Sequence, residues 1–292
     1  MIPAAFDYVS PGNLAEVLGL LRDEGATLLA GGHALLPAMK LRRQRPRLLV
    51  DLARVAELRG ITTGPTVTLG AMTTTGEIER DALLRAAVPL LPRAAAVIAD
   101  PLIRNRATVG GSVVRADTAG DWPALALAAG ATLHLRSADA QRAVPAEEFF
   151  SDPELRPGEV LTHLTMPAFT GDTRSTYLKR MHPASGYAVL GVAVVAAVGE
   201  DGRCTGCRIG ITGAAATAFR ATAAEQHLLG RPLSPETIVE AVATQSAVPV
   251  NHFGDDFASA GYRRHLLPVY LRRALTALIP APETAEGAFD AH

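Results

Sequence analysis

The chain has 292 residues, about two domains' worth, with 48% hydrophobic and 20% charged residues and a formal net charge of -1. Such a balance gives no electrostatic field that would recruit nucleic acid or an anionic membrane. Its only cysteines, Cys204 and Cys207, are too few for a disulfide scaffold or for the four protein ligands of an iron–sulfur cluster.

The N-terminus, Met1-Ile-Pro-Ala-Ala-Phe-Asp, lacks the basic and then apolar regions of a secretory signal, so a cytoplasmic location is expected. Ser10-Pro11 followed by Leu14, Val17, Leu18 and Leu21 reads as a capped amphipathic helix ending at Gly25. Thr27 to Ala30 reads as a short buried strand running into Gly31-Gly32, and strands are expected at Leu48 to Val50 and Val67 to Leu69. Helical segments follow near Glu77 to Val88 and Leu90 to Ala99. Asp100 to Val114, with the second glycine pair Gly110-Gly111, reads as loop-rich. A helix should open at Asp121, and strands should lie at Thr132 to Leu135 and Val160 to Met166.

Pro167 to Thr173 is the best linker candidate. It divides the chain into a first domain of residues 1–170, with subdomains of about 1–55 and 56–170, and a second of residues 174–280. The second domain opens with three strand-like runs: Ser175 to Arg180, Ala188 to Val198 and Arg203 to Thr212. The apolar stretch from Tyr187 to Val198 is too short to span a bilayer. Helices are expected at Thr217 to Leu229, Pro235 to Val248 and Gly261 to Ile279, the last carrying an internal Pro268. The polar, proline-bearing tail, residues 281–292, is expected to be disordered.

Several motifs are absent. The sequence holds no Gly-x-Gly-x-x-Gly, no Gly-Lys pair for a P-loop, no His-Glu-x-x-His and no Gly-x-Ser-x-Gly. Cys204-Thr-Gly-Cys207 is a lone C-x-x-C whose thiols, on a regular strand, would point to opposite faces. The run Lys40 to Arg47 carries five cations in eight residues. A solvated helix end is the ordinary reading, and docking to a partner subunit is the alternative.

Two segments carry the functional reading. Leu28-Leu29-Ala30-Gly31-Gly32-His33-Ala34-Leu35 and Thr108-Val109-Gly110-Gly111-Ser112 each set paired glycines beside apolar residues. Glycine lets backbone approach a ligand, and successive free N–H groups make a nest for phosphate oxygens. Together the two could hold a pyrophosphate without a lysine.

In this order, with Ala99-Asp100-Pro101, Arg104-Asn105-Arg106, Ala116-Asp117, Gly120-Asp121-Trp122-Pro123 and Ser259 to Leu266, the chain resembles the FAD-binding medium subunits of the molybdenum hydroxylases. That family includes the carbon monoxide and xanthine dehydrogenases. The family's first loop reads Ala-Gly-Gly-(His or Gln)-Ser, so Ala34 replaces its usual serine.

The resemblance implies an α+β fold: two α/β FAD-binding subdomains of the PCMH, or vanillyl-alcohol-oxidase-like, flavoprotein type, plus a C-terminal antiparallel three-stranded sheet with helices. It implies FAD as cofactor, no metal and no catalytic acid or base. The loops Leu28 to Leu35 and Thr108 to Ser112 would wrap the pyrophosphate and ribityl chain. Asp121 would bond a flavin-side hydroxyl, or act as a helix N-cap. Ala99 and Val114 would line the ring, with Leu161, Lys179 and Tyr187 nearby; solvent exposure for Lys179 and core packing for Tyr187 are the competing readings. The implied function is an FAD-dependent oxidoreductase subunit that accepts electrons from a small iron–sulfur subunit, beside a large molybdopterin subunit, in a dimer of heterotrimers without membrane insertion. A stand-alone FAD oxidase or reductase and a flavin-less scaffold are the alternatives.

Overall fold

The computed structural model describes residues 2–280. The tail expected to be disordered lies outside these residues.

Residues 2–51 form a small parallel sheet in the order β1–β3–β2. Its elements are β1 (Asp7–Val9), α1 (Leu14–Leu20), β2 (Ala26–Leu29), α2 (Leu35–Lys40) and β3 (Leu48–Asp51). Leu14, Val17 and Leu18 bury one face of α1 against Val50 and Leu52. Asn13, and not Ser10, caps the helix, its side-chain oxygen accepting the Glu16 N–H at 2.9 Å.

The second body is a five-stranded antiparallel sheet ordered β4–β5–β8–β6–β7. After β4 (Ile61–Thr62) and β5 (Thr66–Gly70), the chain leaves the sheet for six helices. These are α3 (Thr75–Arg80), α4 (Ala82–Ala87), α5 (Leu90–Ala95), α6 (Pro101–Arg104), α7 (Val109–Arg115) and α8 (Asp121–Ala129). It then returns through β6 (Thr132–Arg136), β7 (Gln141–Pro145), α9 (Ala146–Ser151) and β8 (Val160–Pro167). Alternation along β6 sends Leu133 and Leu135 into the helix-covered core. His134 faces the other way and stacks on His163 of β8, ring centroids 4.1 Å apart.

The stretch from Asp100 to Val114 is therefore not mainly loop. Asp100 and Thr108 each cap a short helix with their own side chains, so α6 and α7 interrupt it. Glycine and proline content suggested punctuation, but the caps and the apolar Val109 and Val113 prevail.

The C-terminal body holds β9 (Thr173–Met181), β10 (Ala188–Val198), β11 (Cys204–Thr212) and β12 (Phe219–Arg220) in the order β12–β11–β10–β9. The two-residue β12 adds a fourth strand to the three expected. Helices α10 (Thr222–Leu228), α11 (Pro235–Ser246) and α12 (Ala260–Thr276) cover one face, and Pro268 lies inside α12. On the opposite face sits α8, whose nine residues are all buried between two sheets. A helix covered on both sides has no polar stripe, as Trp-Pro-Ala-Leu-Ala-Leu-Ala-Ala shows. Among the described residues no helix is long and apolar enough to cross a membrane.

Candidate functional site

The two glycine pairs meet. A Cβ on Gly31 would overlap the carbonyl oxygen of Arg106, and one on Gly111 would lie 3.5 Å from the Cβ of Ala30. Only glycine allows the β2–α2 turn to press this closely on the segment leading into α7. Gly32 follows at φ +82°, the left-handed conformation that turns the chain into α2.

The two segments divide their donors differently. In the first, the N–H groups of Gly31, Gly32, His33, Ala34 and Leu35 have no acceptor among the described residues. Five successive free amides around a left-handed glycine form a donor set suited to phosphate oxygens. In the second, the donors are already used: Val109 N–H donates to Thr73 O at 3.0 Å and Gly110 N–H to Ala71 O at 2.9 Å. Gly111 N–H donates to Thr108 Oγ1 at 3.2 Å and Ser112 N–H to Thr108 O at 3.1 Å. So the expectation of two backbone nests is corrected to one. Gly110 is glycine for packing, since a Cβ there would lie 2.6 Å from that of Ala71. What the second segment offers a ligand is side-chain hydroxyl: Ser112 Oγ has no partner, and Thr108 Oγ1 accepts while its proton stays free.

The remaining predicted residues fall into two groups. Leu28, Leu29, Ala30, Ala34, Leu35, Ala99, Ser112 and Val114 are half-buried, and His33 is exposed. Val109 and Leu161 are fully buried in the apolar core. Ala99 adopts φ +47° and lies against Gly186, a Cβ on which would sit 3.0 Å from its Cα. The Arg104 guanidinium holds this turn by donating to the carbonyls of Ile98 and Ala99 at 3.2 and 3.0 Å. Through Gly186, the loop carrying Tyr187 is brought to Ala99. Tyr187 itself is 46% exposed, so the core-packing reading does not hold. Burial of part of the ring and the nearby Asp117 raise its hydroxyl pKa.

Asp121 and Lys179 come together at 2.9 Å, with side chains 5% and 2% exposed. The N-cap of α8 is Gly120, so Asp121 does not cap its own helix. Instead it accepts hydrogen bonds from Lys179 and from the Tyr177 hydroxyl, at 2.9 and 2.5 Å. Burial raises the Asp121 carboxyl pKa, opposed by the Lys179 charge and the Tyr177 bond. Tyr177, pushed well above its usual range by burial and by Asp121, was not among the predicted residues. Its spacing of two from Lys179 on one strand face was the available signal. Lys179 is thus a buried, paired cation and not a solvated one.

Arg263 of α12 was likewise seen only as part of a matching stretch. Its side chain, 2% exposed, donates to the carbonyls of Val189 and Gly213 and to Asp255, the last at 2.6 Å. The adjoining strand ends in turn hold residues 118–120: Ala188 N–H donates to Ala119 O at 3.1 Å and Gly213 N–H to Thr118 O at 2.8 Å. Those residues lead directly into Asp121.

Residues 4–169 match the family described as the FAD binding domain in molybdopterin dehydrogenase, and residues 175–278 match the CO dehydrogenase flavoprotein C-terminal domain. The carbon monoxide dehydrogenase medium chain of Hydrogenophaga pseudoflava is 36% identical, covering 95% of this chain and 98% of that one. Subunit alpha of the 6-hydroxypseudooxynicotine dehydrogenase complex of Paenarthrobacter nicotinovorans is 33% identical, with 94% and 95% covered. Among solved structures, the Hydrogenophaga pseudoflava carbon monoxide dehydrogenase lacking the Mo-pyranopterin moiety aligns with a TM-score of 0.91. That alignment has 38% identity and covers 95% of this chain and 98% of the other.

Proposed function

Since the chain belongs to the FAD-binding medium subunits of the molybdenum hydroxylases, we propose that it is the electron-transfer member of such a complex, taking electrons from iron–sulfur clusters in a small partner subunit and passing them to a terminal acceptor. A large molybdopterin subunit would carry the substrate chemistry, in a dimer of heterotrimers. The domain division we propose is 1–170 for the flavin domain and 174–280 for the C-terminal domain.

The observation that carries this reading is the run of five unpaired amides, Gly31 to Leu35, pressed against the Thr108–Ser112 turn. FAD fits these residues, and when bound it supplies a carrier able to hold one or two electrons. The amides of Gly31 to Leu35 hold the pyrophosphate, and Ala34 contributes its N–H although it lacks the hydroxyl of the usual serine. Thr108 and Ser112 orient the ribityl chain through their hydroxyls. Ala99 and Val114 would line the flavin ring, with Tyr187 brought near through the Gly186–Ala99 contact. Asp121 and Lys179, buried and paired at 2.9 Å, would supply a fixed pair of charges near the flavin in place of mobile ones. No side chain here is assigned the transfer of a proton to substrate.

The two named relatives act on unlike compounds, carbon monoxide and 6-hydroxypseudooxynicotine. Specificity in this reading belongs to the large subunit, and the medium subunit serves as a common electron exit.

The test is a titration of the purified chain with FAD, followed by visible absorption and fluorescence quenching. The reading expects saturable binding of one FAD per chain. A chain that neither carries flavin nor takes it up would favour the scaffold alternative, and rapid flavin reduction by small substrates without partners would favour the stand-alone enzyme.

A further inference from the structure

His182 opens the turn His182-Pro-Ala-Ser-Gly-Tyr187 that joins β9 to β10. The backbone closes this turn on itself: His182 N–H donates to Tyr187 O at 2.8 Å and Gly186 N–H to His182 O at 3.0 Å. Inside it, His182 Nδ1 faces the Ala184 N–H at 3.3 Å, the Ser185 N–H at 3.1 Å and Ser185 Oγ at 2.9 Å. Backbone N–H groups only donate, so Nδ1 is an acceptor, the Ser185 hydroxyl donates to it and the ring proton sits on Nε2. Ser185 Oγ in turn accepts the Tyr187 N–H at 3.4 Å. A chain of hydrogen bonds thus runs from the imidazole to Tyr187.

The turn is held from two sides. Gly186, at φ +71°, leaves room for Ala99 where any larger residue would collide with it. On the other side His182, 8% exposed, packs edge to face with Phe257, ring centroids 3.9 Å apart and planes at 68°. Phe257 is fixed in its turn, because its N–H and that of Ala258 donate to Asp255 Oδ1 at 3.0 and 2.9 Å. Asp255 is the carboxylate paired with Arg263 of α12. The imidazole therefore does two things at once. Its edge accepts the donors of the turn, and its flat ring packs on Phe257.

We propose that His182 is the positioning residue that holds Tyr187 beside Ala99, with Nδ1 as the acceptor on which the turn closes. The proposal rests on the flavin reading given above, in which Ala99 lines the ring. Removing the acceptor leaves the donors of Ala184 and Ser185 without their partner inside the turn. Tyr187, 46% exposed, is then free to move away from Ala99, and bound flavin is left more open to solvent. His182 acts through Ser185 and Tyr187 and is assigned no contact with the flavin.

Two variants separate the acceptor from the ring. His182→Asn keeps an acceptor oxygen where Nδ1 stands, and His182→Phe keeps a flat ring against Phe257 but accepts nothing. The full chain is titrated with FAD by fluorescence, and iodide quenching then reads how open the bound flavin is. His182→Phe should weaken FAD binding about tenfold and raise iodide quenching, and His182→Asn should recover most of both. Placed on Tyr187→Ala, His182→Phe should add little further loss, because it acts through that residue. If His182→Phe does not fold, Ser185→Ala, which cuts the link between Nδ1 and the Tyr187 N–H, should show the same rise in quenching. Flavin signals unchanged in these variants overturn the proposal. So do an Asn variant as impaired as the Phe variant, and losses that add in full to those of Tyr187→Ala. An unaltered chain that binds no FAD overturns the flavin reading and this proposal with it, whereas FAD binding indifferent to His182 overturns this proposal alone.

Discussion

At the scale of single residues, contact distance decides where the two glycine turns meet. Gly31 packs on the Arg106 carbonyl with no room for a methyl group, so Gly31→Ala must push β2 and α7 apart. Overpacking of this kind costs about 1–3 kcal/mol. Because the displaced segment carries the free amides, FAD affinity should fall by about tenfold or more, equivalent to roughly 1.4 kcal/mol. Fluorescence titration of the variant checks this; unchanged affinity would detach the glycine pair from the cofactor. Asp121 and Lys179 give a second test. Asp121→Asn leaves a buried ammonium without its counter-charge and should cost about 3–5 kcal/mol in urea denaturation. Adding Lys179→Met should recover part of that loss, since removing both charges removes the desolvation penalty as well. A double variant that is simply the sum of its singles would show that the pair is not coupled.

The sequence made the two glycine turns legible because glycine is chosen for reasons that act locally. It did not make Asp121's partner legible. Tyr177 and Lys179 lie 56 and 58 residues away, and only packing of β9 beside α8 brings them there. The same limit explains the misassigned N-cap. An aspartate before an apolar run looks like a cap, but here the carboxylate is drawn outward by a cation from another sheet.

At the scale of elements, the stacked imidazoles of His134 and His163 tie β6 to β8. Both lie in a cleft of about 420 Å³ that also receives Leu14 from the first subdomain, Glu57 from the segment that leads out of it, and Arg136 and Arg142 from the sheet. Burial lowers both histidine pKa values, and each protonated ring would repel the other. The folded state therefore binds fewer protons than the unfolded state as pH falls through about 6.5, the ordinary histidine value. Stability should decline on acidification through that range, and His163→Gln should flatten the slope. Denaturant midpoints measured from pH 8 to 5 check this, and an unchanged slope in the variant would contradict it. In α12, Arg263→Met leaves the buried Val189 and Gly213 carbonyls without their donor, while Asp255 keeps the Phe257 and Ala258 N–H groups. The expected loss is about 1–3 kcal/mol, with weakened FAD binding because residues 118–120 lose their support.

Strands with clean apolar runs, such as β10, were readable because burial on both faces leaves an unbroken apolar signature. The polar edge β7 (Gln141–Pro145) and the two-residue β4 and β12 were not, since nothing in their own sequence demands a sheet. Equally hidden was the bulge that leaves Thr205 of β11 unpaired between Cys204, opposite Val198, and Gly206, opposite Ala197. Set by register against β10, it brings Cys204 and Cys207 to the same core face instead of opposite faces.

At the scale of the whole molecule, α8 is the element that both halves share. It closes the flavin domain on one side and the C-terminal sheet on the other, so neither half is complete alone. A fragment of residues 1–170 would expose the far face of α8 and strip Asp121 of both partners. It should bind FAD far more weakly than the full chain and unfold at lower urea, as titration and denaturation of the fragment would show. The shortage of cysteine fits the proposed role: a chain with two cysteines and no cluster ligand set would rely on a partner for its electrons.

That reliance is the central claim, and rapid-mixing absorbance tests it most directly. The FAD-loaded chain is mixed anaerobically with the complex's reduced iron–sulfur subunit, and separately with candidate small-molecule substrates. Bleaching of the flavin band by the reduced partner, with no comparable reaction from the small molecules alone, is the predicted result. Fast bleaching by a small substrate without any partner, or none by the reduced partner, would contradict it.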